Sequence, residues 1–298
     1  MAARPDGDGR DTILLGPSCL DRYIDEGLVL PGGGALNMAH HWSSMGFPFR
    51  LITRTGDDSP GLFMEFLDRH GIRYSAESIV AAGPSSSIDI VMRDDRQPWM
   101  DNFIEGVWSG FRLDEAEEGA LSGAGRLHAV LVDPVVREVE RLGAAGRLDH
   151  VSASGDFLDF RHYTVERFAG TMRYLDIGFV GWPGDPGHPT LAGIRDAAFG
   201  LGRLVLVTLG SRGIRVFDGA AGEESFVPVA AVPVTGTTVG CGDAFIAAFL
   251  AARWSGVDMA EAIGRAKALG AAATAWHRPL PESAYADRPA DRGPGISA

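Results

Sequence analysis

The chain has 298 residues, of which 45% are hydrophobic and 22% are charged, and this is the composition of an ordinary globular protein. Its 27 basic and 39 acidic side chains give a formal net charge of −12 at pH 7, which argues against binding to nucleic acid. The polar N-terminus, the short apolar stretches and two widely separated cysteines, Cys19 and Cys241, predict a cytoplasmic protein without a membrane partner.

The first part of the chain combines short strands with two helices. Both helical patterns stop at a glycine, Gly46 or Gly71, which is typical of a helix C-terminus. We expect strands at 12–18, 22–30, 49–56, 86–93 and 100–104, and helices at 35–46 and 60–71. The strands over about 22–32 and 86–105 do not follow a strand–helix alternation, so we expect them to form a small separate sheet, or lid.

The rest of the chain alternates regularly between strands and helices. We expect strands at 127–132, 175–181, 203–210, 213–219 and 224–229, and helices at 135–146, 191–202, 241–256 and 259–277. Such alternation is typical of a parallel sheet with helices on both faces. The sequence therefore predicts a single three-layer α/β domain over 1–298, with disordered ends at about 1–10 and 287–298.

A Gly-Cys-Gly-Asp stretch, Gly240 to Asp243, stands directly before an apolar helix. The free N–H groups and positive partial charge of a helix N-terminus suit a phosphate, and glycines allow its close approach. We expect the helix dipole to keep Asp243 ionised, ready to accept a proton from an attacking hydroxyl. The structural alternative is that the glycines form a tight turn and Asp243 caps the helix.

Other stretches leave the same choice between a ligand site and a turn. Thr208, Gly210 and Gly213 follow a buried-type strand, where α/β proteins commonly bind nucleotide phosphates but where a hairpin needs the same glycines. Asp21 follows the first strand, at the edge of a sheet that would face a ligand. Asn37 lies on the helix after the glycine run 32–34.

Taken in this order, the stretches resemble the ribokinase-like sugar kinases, the phosphofructokinase-B-type family, over about residues 12–278. The family pattern D-T-x-G-A-G-D stands here as Thr237–Asp243, and its early glycine pair stands as Gly32-Gly33. Within the family, GPSCLDRY, GGGALNMA, RTGDDSPG, NFIEGV and VTLGSRG are most similar to the fructoselysine/fructosamine 6-kinase branch.

The resemblance implies ATP-dependent phosphoryl transfer, with Mg²⁺, to a hydroxyl of a small sugar or sugar-amine such as fructoselysine. It makes Asp243 the base, and the N–H groups of Gly240, Cys241 and Gly242 an anion hole for the γ-phosphoryl group. It also implies a sugar site and a nucleotide site. The sugar site would comprise Asp21, Gly32, Gly33, Asn37 and Glu105, and the nucleotide site Thr208, Gly210 and Gly213.

Three positions depart from the family pattern. Thr237 replaces an aspartate associated with a monovalent cation, which weakens the case for K⁺. The N-x-x-E stretch linked to Mg²⁺ reads Gly181–Asp185 here, so Asp185 is the candidate metal residue, with the ATP phosphates as the alternative holder. Cys241 replaces an alanine, and we interpret it as a packing residue.

Two other functions remain open from the sequence. A nucleoside kinase of the same fold would bury its base on an aromatic side chain near the lid, such as Trp99 or Trp108. A non-catalytic sugar- or nucleotide-binding relative would explain the altered family positions, but it would not need Asp243. The lid strands also suggest a homodimer, because exposed strands tend to pair.

Overall fold

The computed structural model describes residues 11–75, 77–92 and 98–285. They divide into two compact units. One unit comprises Pro17–Phe111 and the described chain from Pro233, and the other comprises 11–16 and Arg112–Val232. The ends predicted to be disordered, 1–10 and 287–298, lie outside the described residues. The prediction of one domain over 1–298 stays a prediction.

The elements follow one another along the chain as short strands and helices of eight to fifteen residues. The strands are β1 (Thr12–Leu15), β2 (Cys19–Tyr23), β3 (Leu28–Gly32), β4 (Arg50–Ile52), β5 (Thr55–Gly56), β6 (Val80–Ala81), β7 (Ser87–Met92), β8 (Pro98–Ile104), β9 (Arg126–Val130), β10 (Ser152–Asp156), β11 (Ile177–Gly181), β12 (Leu204–Thr208), β13 (Ile214–Asp218) and β14 (Glu223–Val227). The helices are α1 (Gly34–Met45), α2 (Pro60–Arg69), α3 (Glu115–Gly123), α4 (Asp133–Ala144), α5 (Val165–Met172), α6 (Pro189–Leu201), α7 (Cys241–Trp254) and α8 (Met259–Ala273).

The second unit contains seven strands of the large sheet, in the order β14-β13-β12-β11-β10-β9-β1. The strands from β12 to β1 pair in parallel, and β13 and β14 add an antiparallel edge. Continuous apolar runs such as the fully buried Val205–Val207 suit a parallel sheet whose two faces are both covered. The predicted α/β fold with a mostly parallel sheet is confirmed.

The first unit contains the predicted small sheet, with four strands in the order β3-β2-β7-β8. The single strand expected over 22–30 is wrong, because two antiparallel strands, β2 and β3, occupy this stretch. A short 3₁₀ turn joins them, and Gly27 adopts the left-handed conformation there, with φ 59°, which reverses the chain. Asp21 follows the first strand, β1, as expected, and lies within β2.

Helices α1, α7 and α8 pack together in the first unit. The indole N–H of Trp42 on α1 donates to the carbonyl of Ala247 on α7 at 2.9 Å. Position 270 on α8 lies against the first turn of α7, because a Cβ there would be in van der Waals contact with the carbonyl oxygen of Cys241, at 3.4 Å. The first turn of α7 is therefore held between two helices.

Three elements of the second unit, β10, α3 and α5, were not predicted. β10 reads Ser-Ala-Ser-Gly-Asp and has no β-branched residue, yet it is buried because its polar groups find partners. Ser154 accepts from His128 Nδ1 at 2.9 Å and donates to the carbonyl of Leu127 at 3.2 Å. The capping box of Asp114 and Glu117 was a readable signal for α3.

In the part of the chain that the structure describes, no helix is both long enough and apolar enough to cross a bilayer.

Glu138 on α4 provides a test of how the second unit is held together. Its side chain is fully buried, and it accepts from Arg112 at 2.6 Å, from Arg141 at 2.6 Å and from the backbone of Leu113 at 3.3 Å. Burial alone would raise the pKa of this carboxyl, but the donated hydrogen bonds outweigh it, so the pKa is lowered.

We expect Glu138→Gln to reduce the free energy of unfolding by about 1–3 kcal/mol at pH 7, because the charged hydrogen bonds are lost. A lowered folded-state pKa stabilises the protein above the unfolded-state pKa and stops doing so as the pH falls through the folded-state value. In urea titrations, the difference in the free energy of unfolding between the variant and the wild type should therefore become smaller as the pH is lowered. Glu223→Gln, at an exposed position on β14, serves as the control, and an equal loss in both variants would contradict the assignment.

Candidate active site

The start of α7 can be built only with glycine at position 240. Gly240 precedes the helix with φ 77°, and a Cβ there would lie 2.7 Å from the carbonyl oxygen of Pro279. The first helical bond runs from the N–H of Ala244 to the carbonyl of Gly240 at 2.9 Å. The N–H groups of Gly242 and Asp243 precede this bond and are directed out of the helix end.

The three amides predicted to form an anion hole are not equivalent. The N–H of Cys241 already donates to the carbonyl of Thr238, although the contact is long at 3.4 Å. Gly242 is exposed. Their role towards a phosphate stays a prediction.

Burial, followed by the charge of Asp243, raises the pKa of the Cys241 thiol to about 12, so this thiol remains neutral, in keeping with a packing residue.

Asp243 lies in the first turn of α7, and one of its carboxylate oxygens is held by another helix. The Nδ2 of Asn37 on α1 donates to Oδ2 of Asp243 at 2.8 Å. Burial raises the pKa of this carboxyl to about 7, the hydrogen bond from Asn37 lowers it, and the charge of Asp21 raises it. The sequence predicted that the helix dipole keeps Asp243 ionised, but burial brings its pKa close to neutrality, so the carboxyl exchanges its proton near pH 7. A pKa near neutrality suits a general base.

Asp21 lies directly against Gly32, the first glycine of the pair Gly32-Gly33. Asp21 is 5% exposed on β2, and burial raises the pKa of its carboxyl to about 7. A Cβ on Gly32 would collide with this carboxylate, and a Cβ on Gly33, where φ is 94°, would lie 2.7 Å from the carbonyl oxygen of Pro17. Both glycines are thus required by the close approach of neighbouring atoms, whereas contact with a sugar stays a prediction.

Glu105 was predicted to contribute to the same sugar site as Asp21 and Asn37. Glu105 is half-buried before the 3₁₀ turn Gly106–Trp108, where its carbonyl accepts from the N–H of Trp108 at 3.1 Å. Within the described ranges, no hydrogen bond links Glu105 to Asp21, Asn37 or Asp243. Its role in substrate binding stays a prediction.

The two tryptophans considered as stacking platforms differ. Trp108 is 1% exposed, its indole N–H donates to the carbonyl of Arg54 at 3.0 Å, and its ring stacks on Phe111 with centroids 4.4 Å apart. A contact between Trp108 and a substrate is therefore wrong as an expectation, because the ring belongs to the core. Trp99 on β8 is 49% exposed.

The predicted nucleotide stretch forms a tight turn between β12 and β13. Gly210 and Gly213 have φ values of 61° and 121°, and a Cβ on Gly213 would collide with the ring of Phe226. The Oγ1 of Thr208 donates to the carbonyl of Val180, with a long separation of 3.4 Å. The hairpin thus needs these glycines, and their contact with a nucleotide stays a prediction.

Asp185, the candidate metal residue, is exposed in the loop before α6. Its Oδ1 accepts from the N–H of Gly187 at 2.8 Å. No group of three or more His, Cys, Asp or Glu side chains suited to a metal ion occurs among the described residues. A lone carboxylate fits only a Mg²⁺ ion that keeps its waters and is held mainly by phosphates, as Mg²⁺ commonly is.

Sequence reasoning missed a cluster beside Asp21. The guanidinium of Arg278 lies over the ring of Tyr23, 4.1 Å from its centroid, and forms an ion pair with Glu26. The pKa of Tyr23 is raised by burial and then by the charge of Asp21, and the same two causes raise the pKa of Tyr285. Arg278 and Tyr285 follow the last helix in a stretch without a recognisable pattern, so only the folded chain reveals that Arg278 lies over Tyr23 and that Tyr285 interacts with Asp21.

Comparison with known proteins agrees with the fold and with the order of these motifs. The profile of the pfkB family carbohydrate kinases matches residues 179–278, which include Thr208, Asp185 and the Gly240–Asp243 stretch. Fructoselysine 6-kinase of Escherichia coli strain K12 is 29% identical over 265 residues, covering 88% of this chain and 97% of that enzyme. Fructoselysine 6-kinase of Shigella flexneri gives the same identity and coverage.

Two solved structures show that the fold is shared. Ribokinase of Thermotoga maritima superposes with a TM-score of 0.70 at 20% identity, covering 93% of this chain and 96% of that one. Adenosine kinase of Sinorhizobium meliloti superposes with a TM-score of 0.71 at 18% identity, covering 91% and 96%. The chain thus shares its fold with ribokinase-like kinases. Together, these similarities support a ribokinase-like sugar kinase that uses ATP.

Proposed function

We propose that the protein transfers the γ-phosphoryl group of ATP to a hydroxyl of a sugar-amine such as fructoselysine. The observation that carries this proposal is the Asp243 carboxyl at the start of α7, with a pKa of about 7 and one oxygen held by Asn37 at 2.8 Å. The likeness to fructoselysine 6-kinases along 88% of the chain supports the substrate class.

Each predicted residue has a physical role in this reaction. Asp243 accepts the proton of the attacking hydroxyl, and the N–H groups of Gly240, Cys241 and Gly242 stabilise charge that develops on the phosphoryl group. Asp21 and Asn37 bind sugar hydroxyls, with Gly32 and Gly33 allowing the close approach and Glu105 assisting. Thr208, Gly210 and Gly213 bind the nucleotide.

Mg²⁺ would be held by the ATP phosphates, with Asp185 contributing one carboxylate. When bound, the ion neutralises negative charge on those phosphates. K⁺ has less support, because Thr237 offers a neutral hydroxyl that already accepts from the N–H of Val239 at 3.2 Å.

We place the reaction in the cytoplasm, on the basis of the two free cysteines.

We expect Asp243→Asn to bind ATP and fructoselysine about as well as the wild type while kcat falls by about 10²–10⁴, which is the scale of lost base catalysis. ADP release measures turnover, and calorimetry measures binding. Asp149→Asn, at an exposed position, should retain full turnover. Equal rates for Asp243→Asn and the wild type would remove Asp243 from the mechanism.

A nucleoside kinase is the second candidate, because an adenosine kinase shares the fold. Burial of Trp108 removes one of the two aromatic platforms that this function could use, which favours the sugar-amine. In a panel of fructoselysine, fructose, ribose and adenosine, we expect fructoselysine to give the highest kcat/KM. Turnover of adenosine alone would overturn the sugar-amine assignment and leave the kinase assignment in place.

We also propose that the protein forms a homodimer through the lid. Strand β8 is an edge strand of the small sheet, and Phe103 and Ile104 on it are 55% and 48% exposed. Exposed apolar edge strands favour pairing with another chain.

We expect light scattering to give a dimeric mass for the wild type and a monomeric mass for Phe103→Asp. Phe226→Asp is the matched control, because Phe226 is 57% exposed on β14, outside the lid, and this variant should stay dimeric. A monomeric wild type would disprove the interface.

A further inference from the structure

Two hydrogen bonds attach α1 to α7 at neighbouring levels. The Nδ2 of Asn37 donates to Oδ2 of Asp243 at 2.8 Å, and further along both helices the indole of Trp42 donates to Ala247 at 2.9 Å. The backbone of Asn37 is fixed at the start of α1, because its N–H donates to the carbonyl of Gly33 at 3.0 Å. Asn37 is therefore held in two ways: its backbone is part of α1, and its side-chain amide is hydrogen-bonded to Asp243.

The orientation of this amide follows from charge. An ionised carboxylate only accepts hydrogen bonds, so the NH₂ group of Asn37 faces it and the carbonyl Oδ1 points elsewhere. That Oδ1 is buried without a hydrogen-bond partner among the described atoms. The amide thus has one end occupied by Asp243 and one end still available.

We propose that Asn37 is a positioning residue for Asp243: it fixes Oδ2 of the carboxylate and leaves Oδ1 to accept the proton of the substrate hydroxyl. The inference rests on the proposed function, in which Asp243 is the base. A carboxylate held at one oxygen cannot rotate freely, so its second oxygen has a defined direction for proton transfer. The donated hydrogen bond also favours the ionised form of the carboxyl, which is the form that accepts a proton.

Asp21, the histidines of α1 and the neighbouring Cys241 do not provide this effect. From β2, Asp21 contributes a like charge, which raises the pKa of Asp243. From α1, burial lowers the pKa of His40 and His41 to about 3 and 4, so both are neutral near pH 7. The thiol of Cys241 on α7 is neutral as well.

The remaining neighbouring segments add no opposing charge. The last turn of α8 carries no basic residue, and Gly270 faces α7 there. Arg278, in the segment after α8, is engaged with Glu26. Asn37 is thus the group that lowers the pKa of Asp243.

The test compares Asn37→Leu and Asn37→Asp with the wild type by two readouts. The first is the pH dependence of kcat with ATP, Mg²⁺ and fructoselysine. The second is the titration of the Asp243 carboxyl carbon by NMR in the protein without substrate, with the signal assigned through its loss in Asp243→Asn. The NMR readout does not depend on turnover. Asn37→Asp keeps the shape of the side chain, so it remains informative if Asn37→Leu does not fold.

We expect both variants to raise the titration midpoint of Asp243, and the acid limb of the kcat profile to move by the same amount. A rise of one pH unit, from 7 to 8, reduces the ionised fraction at pH 7 by about fivefold. The kcat deficit should narrow as the pH increases. Asp21→Asn should shift the midpoint in the opposite direction, because it removes a like charge.

Asn102→Asp is the matched control, because Asn102 makes the same kind of amide–carboxylate contact, to Asp89 at 3.0 Å, at an exposed position. It should leave the Asp243 midpoint unchanged. If Asn37→Leu and Asn37→Asp raise only KM and leave both midpoints unchanged, Asn37 acts in sugar binding alone and the inference is overturned. A wild type that phosphorylates no sugar would instead refute the proposed function, while the NMR titration would still decide whether Asn37 sets the state of Asp243.

Discussion

The site depends on the close approach of two backbone segments at Gly240. The chain after α8 passes so near that a Cβ at this position would lie 2.7 Å from the carbonyl oxygen of Pro279, and the φ of 77° excludes most other residues. This contact determines where α7 begins. Asp243 and the free amides of the first turn take their positions from it, so a change at Gly240 would displace the acid and the amides together.

Electrostatic balance is the second constraint. Asp21 and Asp243 are both desolvated, and both have a pKa of about 7, far above the usual value for aspartate. Burial and the like charge of Asp21 act against ionisation of Asp243, and the amide of Asn37 acts for it. The opposing effects leave the carboxyl near the pH at which a base exchanges protons most effectively.

The fold could be predicted where local patterns were strong. The alternating second part of the chain yielded the parallel strands around β11 and β12 and the helices α4, α6, α7 and α8. Prediction failed at β10, where Ser154 is buried because it forms hydrogen bonds with His128 and with the carbonyl of Leu127. It also merged β2 with β3, because one glycine in a left-handed conformation reverses a chain that otherwise looks continuous. At β10 the deciding contacts come from residues distant in sequence, whereas between β2 and β3 the local backbone conformation of Gly27 decides.

The residue pattern alone was enough to predict the class of protein and to select the residues of interest, which are the Gly240–Asp243 stretch, the glycine pair with Asn37, and Asp21. These positions can be recognised in the sequence because a close approach of the backbone requires glycine, and because the acids and the amide stand in a characteristic order along the chain. The folded chain was needed to show that Asn37 holds Asp243, that Trp108 is buried, and that Arg278 lies over Tyr23. Desolvation and hydrogen bonding depend on what surrounds a group in space, and residues 206 positions apart become neighbours only when the chain folds.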